Sequence, residues 1–270
     1  MKYFGLLILL CAIPGIMLGS ALNGELDLNG SSGQNVAVGP CTGNSSVDCI
    51  DFDWKGTFNN LNPQTVLSGV VDGTGNSAVF NITNNFVGNN GATSTTVTVG
   101  DLNSSSEPAG GTVNDPGFIT FNSDPWTVTL TEVQLGSDPM GTCIGDTLSD
   151  GQTCTPAGTP FNQQNSCSGT APYSPSNCTV DINFFFTGTA TNGSQSSTVI
   201  GKFATTFSGT DYQLIDTDIS QGLDVVTSDT GTINFTAGTA PAPEPVTAAL
   251  VGAGLIALGL LKRKRGKPTM

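Results

Sequence analysis

Val180-Asp181-Ile182-Asn183-Phe184-Phe185-Phe186 decides the class of fold. Val180, Ile182, Phe184 and Phe186 alternate with Asp181, Asn183 and Phe185, a period of two that gathers the apolar set on one face of a β-strand. Downstream, Ser197 to Phe207, Tyr212 to Ile215, Leu223 to Val226 and Thr232 to Phe235 read as further strands. Upstream, Ile50, Phe52 and Trp54 alternate with Asp51, Asp53 and Lys55, and Ala78, Phe80 and Ile82 repeat the pattern. Thr93 to Val99, Phe118 to Phe121 and Trp126 to Leu135 complete the set, with Gly, Asn, Asp and Pro marking the gaps. Between 22 and 240 no segment carries a 3.6-residue apolar stripe. Roughly ten strands at this spacing predict an all-β fold, an antiparallel, jelly-roll-like β-sandwich with 180–208 and 50–82 at its centre.

Charge narrows the partners. The chain has 270 residues and a formal net charge of -13. Of its eight Lys and Arg, only Lys55 and Lys202 lie between 22 and 244, against all 21 acidic residues, which leaves that region at a formal −19. Such a surface repels phosphate backbones, so nucleic acid is not an expected partner, whereas divalent cations are attracted. There is no histidine, which removes the commonest general base and metal ligand and every Ser-His or Cys-His nucleophile.

The cysteines speak for an oxidising compartment. Cys11 lies in the apolar leader, and six remain: Cys41, Cys49, Cys143, Cys154, Cys167 and Cys178. No CxxC pair occurs, so disulfides are expected rather than a metal site. Neighbour spacing favours Cys41–Cys49, Cys143–Cys154 and Cys167–Cys178; the rival nests Cys143–Cys178 around Cys154–Cys167. Residues 136–178 read as a long Pro-, Gly- and Gln-rich loop insertion with little periodicity, which two disulfides would staple.

The two ends read as address labels. Met1-Lys2-Tyr3 is a short positive start, Phe4 to Leu18 is apolar, and Gly19-Ser20-Ala21 offers small residues for a cut after Ala21, the layout of a secretory signal peptide over 1–21. The apolar run is shorter than the ~20 residues of a spanning helix, so cleavage is expected over anchoring. At the other end stand Pro241-Ala242-Pro243-Glu244-Pro245, an uncharged run from Val246 to Leu261, and Lys262-Arg263-Lys264-Arg265. The prolines favour an extended, exposed segment. The apolar run is a transmembrane helix of slightly short length, and the basic cluster holds its end in the cytoplasm.

Pro243-Glu244-Pro245, a short apolar helix and a terminal basic cluster over 241–265 resemble the PEP-CTERM sorting signal. The resemblance implies that Pro243, Glu244 and Pro245 mark a processing site for an exosortase and that Lys262, Arg263, Lys264 and Arg265 are the cytoplasmic stop. It further implies a Gram-negative bacterium that makes exopolysaccharide, and a cell-surface or extracellular-matrix destination. Nothing in the body, 22–240, carries a resemblance.

Within the body the chemical candidates are few. Asp51/Asp53 and Asp216/Asp218 are acidic pairs of the kind a glycosidase uses, but a solvated strand face accounts for Asp51 and Asp53 more simply. Asp216-Thr-Asp218-Ile-Ser-Gln-Gly222-Leu-Asp224 is oxygen-rich and turn-prone, as is Asp27-Leu-Asn29-Gly-Ser31-Ser-Gly33. Asp216, Asp218 and Asp224 are therefore calcium-ligand candidates, although neither stretch meets the EF-hand pattern and ordinary turns are the preferred reading. Trp54, Trp126, Tyr173 and Tyr212 could stack on sugar rings; Trp54 and Trp126 fall on apolar strand faces, where core packing is expected, and Tyr173 is the better candidate for exposure. Sequons at Asn29, Asn44, Asn81, Asn103, Asn177, Asn192 and Asn234 follow from the composition.

No catalytic residue is assigned and no cofactor is required, calcium aside. The expected function is that of an exported, non-catalytic structural or adhesive protein of the cell surface or matrix. Its expected partners are signal peptidase, the export machinery, an exosortase, the membrane before processing, and exopolysaccharide. A carbohydrate-binding module or carbohydrate-active enzyme is the alternative.

Overall fold

In a computed structural model the residues described are 22–30, 35–41, 44–71, 73–74, 78–83, 94–137, 140–141, 143–145, 147–227 and 230–237. The signal peptide, Pro243-Glu244-Pro245, the apolar run 246–261 and the basic cluster Lys262 to Arg265 lie outside them. Among the described residues no helix is long and apolar enough to cross a membrane.

The elements in chain order are β1 (Gly24–Gly30), β2 (Asn35–Cys41), β3 (Asn44–Trp54), β4 (Thr57–Phe58), β5 (Val66–Ser68), β6 (Ala78–Ile82), β7 (Thr96–Val99), β8 (Leu102–Asn103) and β9 (Thr112–Phe121). Then come β10 (Thr127–Val133), β11 (Met140–Gly141), β12 (Thr153–Pro156), β13 (Asn162–Cys167), β14 (Cys178–Thr191), β15 (Ser196–Ser208), helix α1 (Tyr212–Ser220), β16 (Val225–Thr227) and β17 (Thr230–Ala237).

The all-β class is as expected, but the strands close into a barrel instead of forming two facing sheets. Eight of them, β10, β9, β7, β6, β1, β17, β15 and β14, pair in that order, all antiparallel, and β14 returns to β10. The length of β14 makes closure possible. Its first half, Cys178 to Asn183, pairs β13, and its second half, Phe186 to Thr191, pairs β10. Its other edge runs the full length of β15, from Thr179↔Ser208 to Thr191↔Ser196. Closure leaves no edge on the ring, where an open sheet would expose one. A second sheet, β16-β2-β3-β8, lies outside the ring.

Inside the ring, alternate residues of β14 and β15 meet Leu26, Phe80, Phe118, Val128 and Ile233 in one large core. Phe203 sits at its centre, its ring centroid 4.9 Å from Phe52, 5.6 Å from Phe184, 5.6 Å from Phe186 and 5.8 Å from Phe80. Phe52 belongs to β3, so the second sheet reaches this core. Trp54, Trp126 and Tyr212 are fully buried.

Two further expectations are corrected. Tyr212 to Ile215 is the first turn of a helix, not a strand. The Asp211 side chain caps it, accepting from Leu214 N at 2.9 Å, and Tyr212, Ile215 and Asp216 share its buried face. The helix ends where Gly222, with φ +80, lets its N–H reach Ile219 O while Leu223 N reaches Asp218 O. The supposed loop over 136–178 holds β11, β12 and β13, because β13 pairs the free half of β14 from Asn162↔Asn183 to Cys167↔Cys178.

The three disulfides are Cys41–Cys49, Cys143–Cys154 and Cys167–Cys178, the neighbour pairing. Cys167 and Cys178 are register partners, Cys41–Cys49 joins β2 to β3, and Cys143–Cys154 packs in a small core with Val180, Phe207, Tyr212, Ile215 and Val225.

Candidate functional site

The part of β14 and β15 that runs past the closed ring, with β13 beside it, α1 across it and β2 and β16 opposite, encloses a cavity of about 580 Å³. Its walls are aliphatic and aromatic: Val38 and Val225 from the second sheet, Ile182 and Phe184 from β14, Phe203 and Phe207 from β15. Phe161 stands edge-on to Phe184, centroids 6.1 Å apart, and also lines the space. The large wall residues of β14 and β15 follow from strand alternation, since 182 and 184, like 203, 205 and 207, lie on one face. The exposed lining residues, among them Asp48, Ile144, Ala157 and Ser220, mark where the cavity meets solvent.

One polar cluster interrupts this surface. Gln163 of β13 is 2% exposed, and its Nε2 donates to Asp216 Oδ1 of α1 at 2.8 Å. Asp216 is 8% exposed, and burial, opposed by the Gln163 hydrogen bond, pushes its carboxyl up to about 6. Gln163 Oε1 and Asp216 Oδ2 are buried without a hydrogen-bond partner, in residues that line the cavity. The helix that delivers Asp216 is docked by the same strand: Asn165 Oδ1 accepts from Tyr212 N at 3.1 Å, and Asn165 Nδ2 donates to Gln213 Oε1 at 3.0 Å. Asp224 abuts Gly39, another lining residue, and burial likewise raises its carboxyl to about 6.

No protein-family model, no curated protein and no solved structure matches the chain.

Of the residues singled out in the sequence, Asp216 alone of the calcium candidates faces this cavity. Asp216, Asp218 and Asp224 do not converge as a ligand set; among the described residues, the group of carboxylates whose oxygens lie within 4.8 Å of one another is Asp51, Asp53 and Asp101. Asp51 and Asp101 are 5% and 6% exposed, so the expected solvated face of β3 is in part covered. The cover comes from β8, which pairs Ile50↔Leu102 and carries Asp101 onto β3. There Asp101 Oδ1 accepts from Phe52 N at 2.9 Å, Asp51 Oδ1 from Asp53 N at 3.2 Å, and Lys55 Nζ lies 3.4 Å from Asp53 Oδ2. Three hard oxygen donors are a fit for calcium, but Asp51 and Asp101 already serve the backbone of β3 and Asp53 is paired with Lys55. Tyr173 is half-buried, and Asp27 and Asn29 lie within β1.

Sequence reasoning missed Gln163 altogether. A lone Gln in a polar stretch carries no signal until β13 is recognised as a strand paired to β14.

Proposed function

We propose that this is an exported bacterial protein of the cell surface or extracellular matrix. A signal peptide over 1–21 is removed, the helix 246–261 holds the chain in the membrane for a time, and an exosortase processes it at Pro243-Glu244-Pro245. The body acts without catalysis, as a structural, adhesive or binding module. The observation that supports the reading is the pairing of all six cysteines downstream of the leader into three disulfides, a state that oxidising compartments maintain and the cytosol does not. The lack of histidine adds to it.

The carbohydrate alternative draws less support. Trp54, Trp126 and Tyr212 are buried, leaving Tyr173 of the four aromatic candidates. The cavity is walled mainly by apolar side chains, whereas a sugar needs many polar partners.

Mass spectrometry of the chain recovered from its own cell tests the export reading. It should find a product shorter at both ends, with no free thiol before reduction. Recovery of a full-length, cytosolic chain with reduced thiols would overturn it.

A further inference from the structure

We propose that the cavity between β13, β14, β15, α1 and the second sheet binds an apolar small molecule with a non-anionic, hydrogen-bond-donating head. That head, a hydroxyl or an amine, seats against Asp216 and Gln163. The inference concerns the cavity alone and stands whether or not the export reading does.

Size comes first. Protein interiors contain few voids larger than a water molecule, and about 580 Å³ falls in the range of about 300–1,000 Å³ typical of small-molecule sites. The walls come next. Ile182, Phe184, Phe203 and Phe207 present carbon to the space, which suits an aliphatic or aromatic body.

The polar end sets the head group. Gln163 spends its amide N–H on Asp216 Oδ1, which leaves Gln163 Oε1 and Asp216 Oδ2 as two buried acceptors without a partner, in residues that line the same space. A buried acceptor without a donor is costly, so such groups are ordinarily satisfied. A hydroxyl or amine supplies the missing hydrogen. A carboxylate or phosphate supplies none and would meet Asp216 within and Asp48 at the mouth, while among the described residues no Lys or Arg lines the cavity to receive it.

The test uses the full chain with its disulfides closed, held in an amphipathic polymer without detergent, and the polymer alone as the blank. The probe is N-phenyl-1-naphthylamine, a neutral arylamine that fluoresces in apolar surroundings. We expect saturable binding above the blank. 1-Dodecanol and dodecylamine should displace the probe, and dodecanoate should do so at least tenfold less well. Ala157→Trp, at the exposed mouth, and Thr205→Phe, within the cavity, should each weaken probe binding at least tenfold. A circular-dichroism spectrum and melting temperature close to the parent's identify the variant to be read, and Ala157→Trp, being on the surface, is the one expected to keep the fold. Unsaturable binding, equal displacement by dodecanoate, or unchanged affinity in a folded blocking variant would overturn the proposal. So would a cavity filled by ordered water that dodecanol does not displace.

Discussion

Gln163 Nε2 and Asp216 Oδ1 meet at 2.8 Å across 53 positions of sequence, joining the strand beside the barrel to the only helix longer than one turn among the described residues. The bond holds the helix against the cavity, yet the carboxylate it contacts is taken out of water at a cost. Burial outweighs the hydrogen bond, so the acid keeps its proton up to about 6.

The pH dependence of stability follows. An unfolded Asp loses its proton near 3.9, so between about 4 and about 6 the folded chain binds more protons than the unfolded one. Stability therefore falls as pH rises through that window and levels off above it. With about 1.4 kcal/mol per pH unit, Asp216 alone accounts for a loss on the order of 3 kcal/mol. Asp224, raised to about 6 by burial, adds in the same direction. Asp216→Asn keeps an acceptor for Gln163 and removes the charge, so it should stabilise the protein at pH 7 and reduce the slope. Urea midpoints at half-unit steps from pH 4 to 7 measure this, and an unchanged slope in the variant contradicts it.

Gly201 should not tolerate a side chain. It is the cross-strand partner of Phe186, whose ring lies where a Cβ on residue 201 would be. That ring is fully buried, stacked at 21° on Phe203 and edge-on to Phe118 at 5.4 Å, so it has nowhere to retreat. Gly201→Ala should cost about 1–3 kcal/mol, the usual penalty of overpacking. Adding Phe186→Leu should recover part of that loss, which a double-mutant cycle by urea denaturation reads directly. Strict additivity of the two changes would count against the overlap.

The alternation of Val180 to Phe186 was enough to find β14, and its length in turn allows the barrel to close. Closure itself could not be seen, because it depends on Val133 meeting Phe186 and Thr127 meeting Thr191, a register between distant segments. The disulfides were legible because each joins neighbours, 8, 11 and 11 residues apart. Helix α1 was missed although its signals were present: Asp211 before the first turn, Tyr212 and Ile215 three apart, and Gly222 just past the end. Tyr212 to Ile215 reads as a short apolar run, and runs that short do not separate helix from strand. The cavity had no linear signature, since its lining is drawn from Val36 to Thr227. Asp216 was noticed for its oxygen but not for its burial.

Asp101 should prove structural. Its Oδ1 accepts from the buried N–H of Phe52, a backbone donor at a point where β3 has a shifted register with β2. Asp101→Ala leaves that donor unsatisfied and should cost about 1–3 kcal/mol. Asp101→Asn retains a carbonyl acceptor in the same place and should cost less. Thermal melts of the two variants make the comparison, and equal losses would show that the hydrogen bond is not what matters.

The last comparison separates chain entropy from packing. Cys143–Cys154 and Cys167–Cys178 span the same separation, 11 residues, so each constrains the unfolded chain to a similar degree, worth about 3 kcal/mol. In the folded protein they differ. Cys167 and Cys178 are register partners in a ladder that continues through Ser166↔Thr179 and Asn165↔Val180, so the strands stay paired without the sulfurs. Cys143 and Cys154 are both buried against Val180, Phe207 and Tyr212, and there the sulfurs are part of the core that backs the cavity. Replacing Cys143 and Cys154 together with Ala should therefore lower the urea midpoint more than replacing Cys167 and Cys178, the excess reporting the lost packing. Equal midpoints would mean that the small core contributes nothing beyond the covalent link, and the wall it gives the cavity would then have to be held by α1 and its contacts to Gln163 and Asn165.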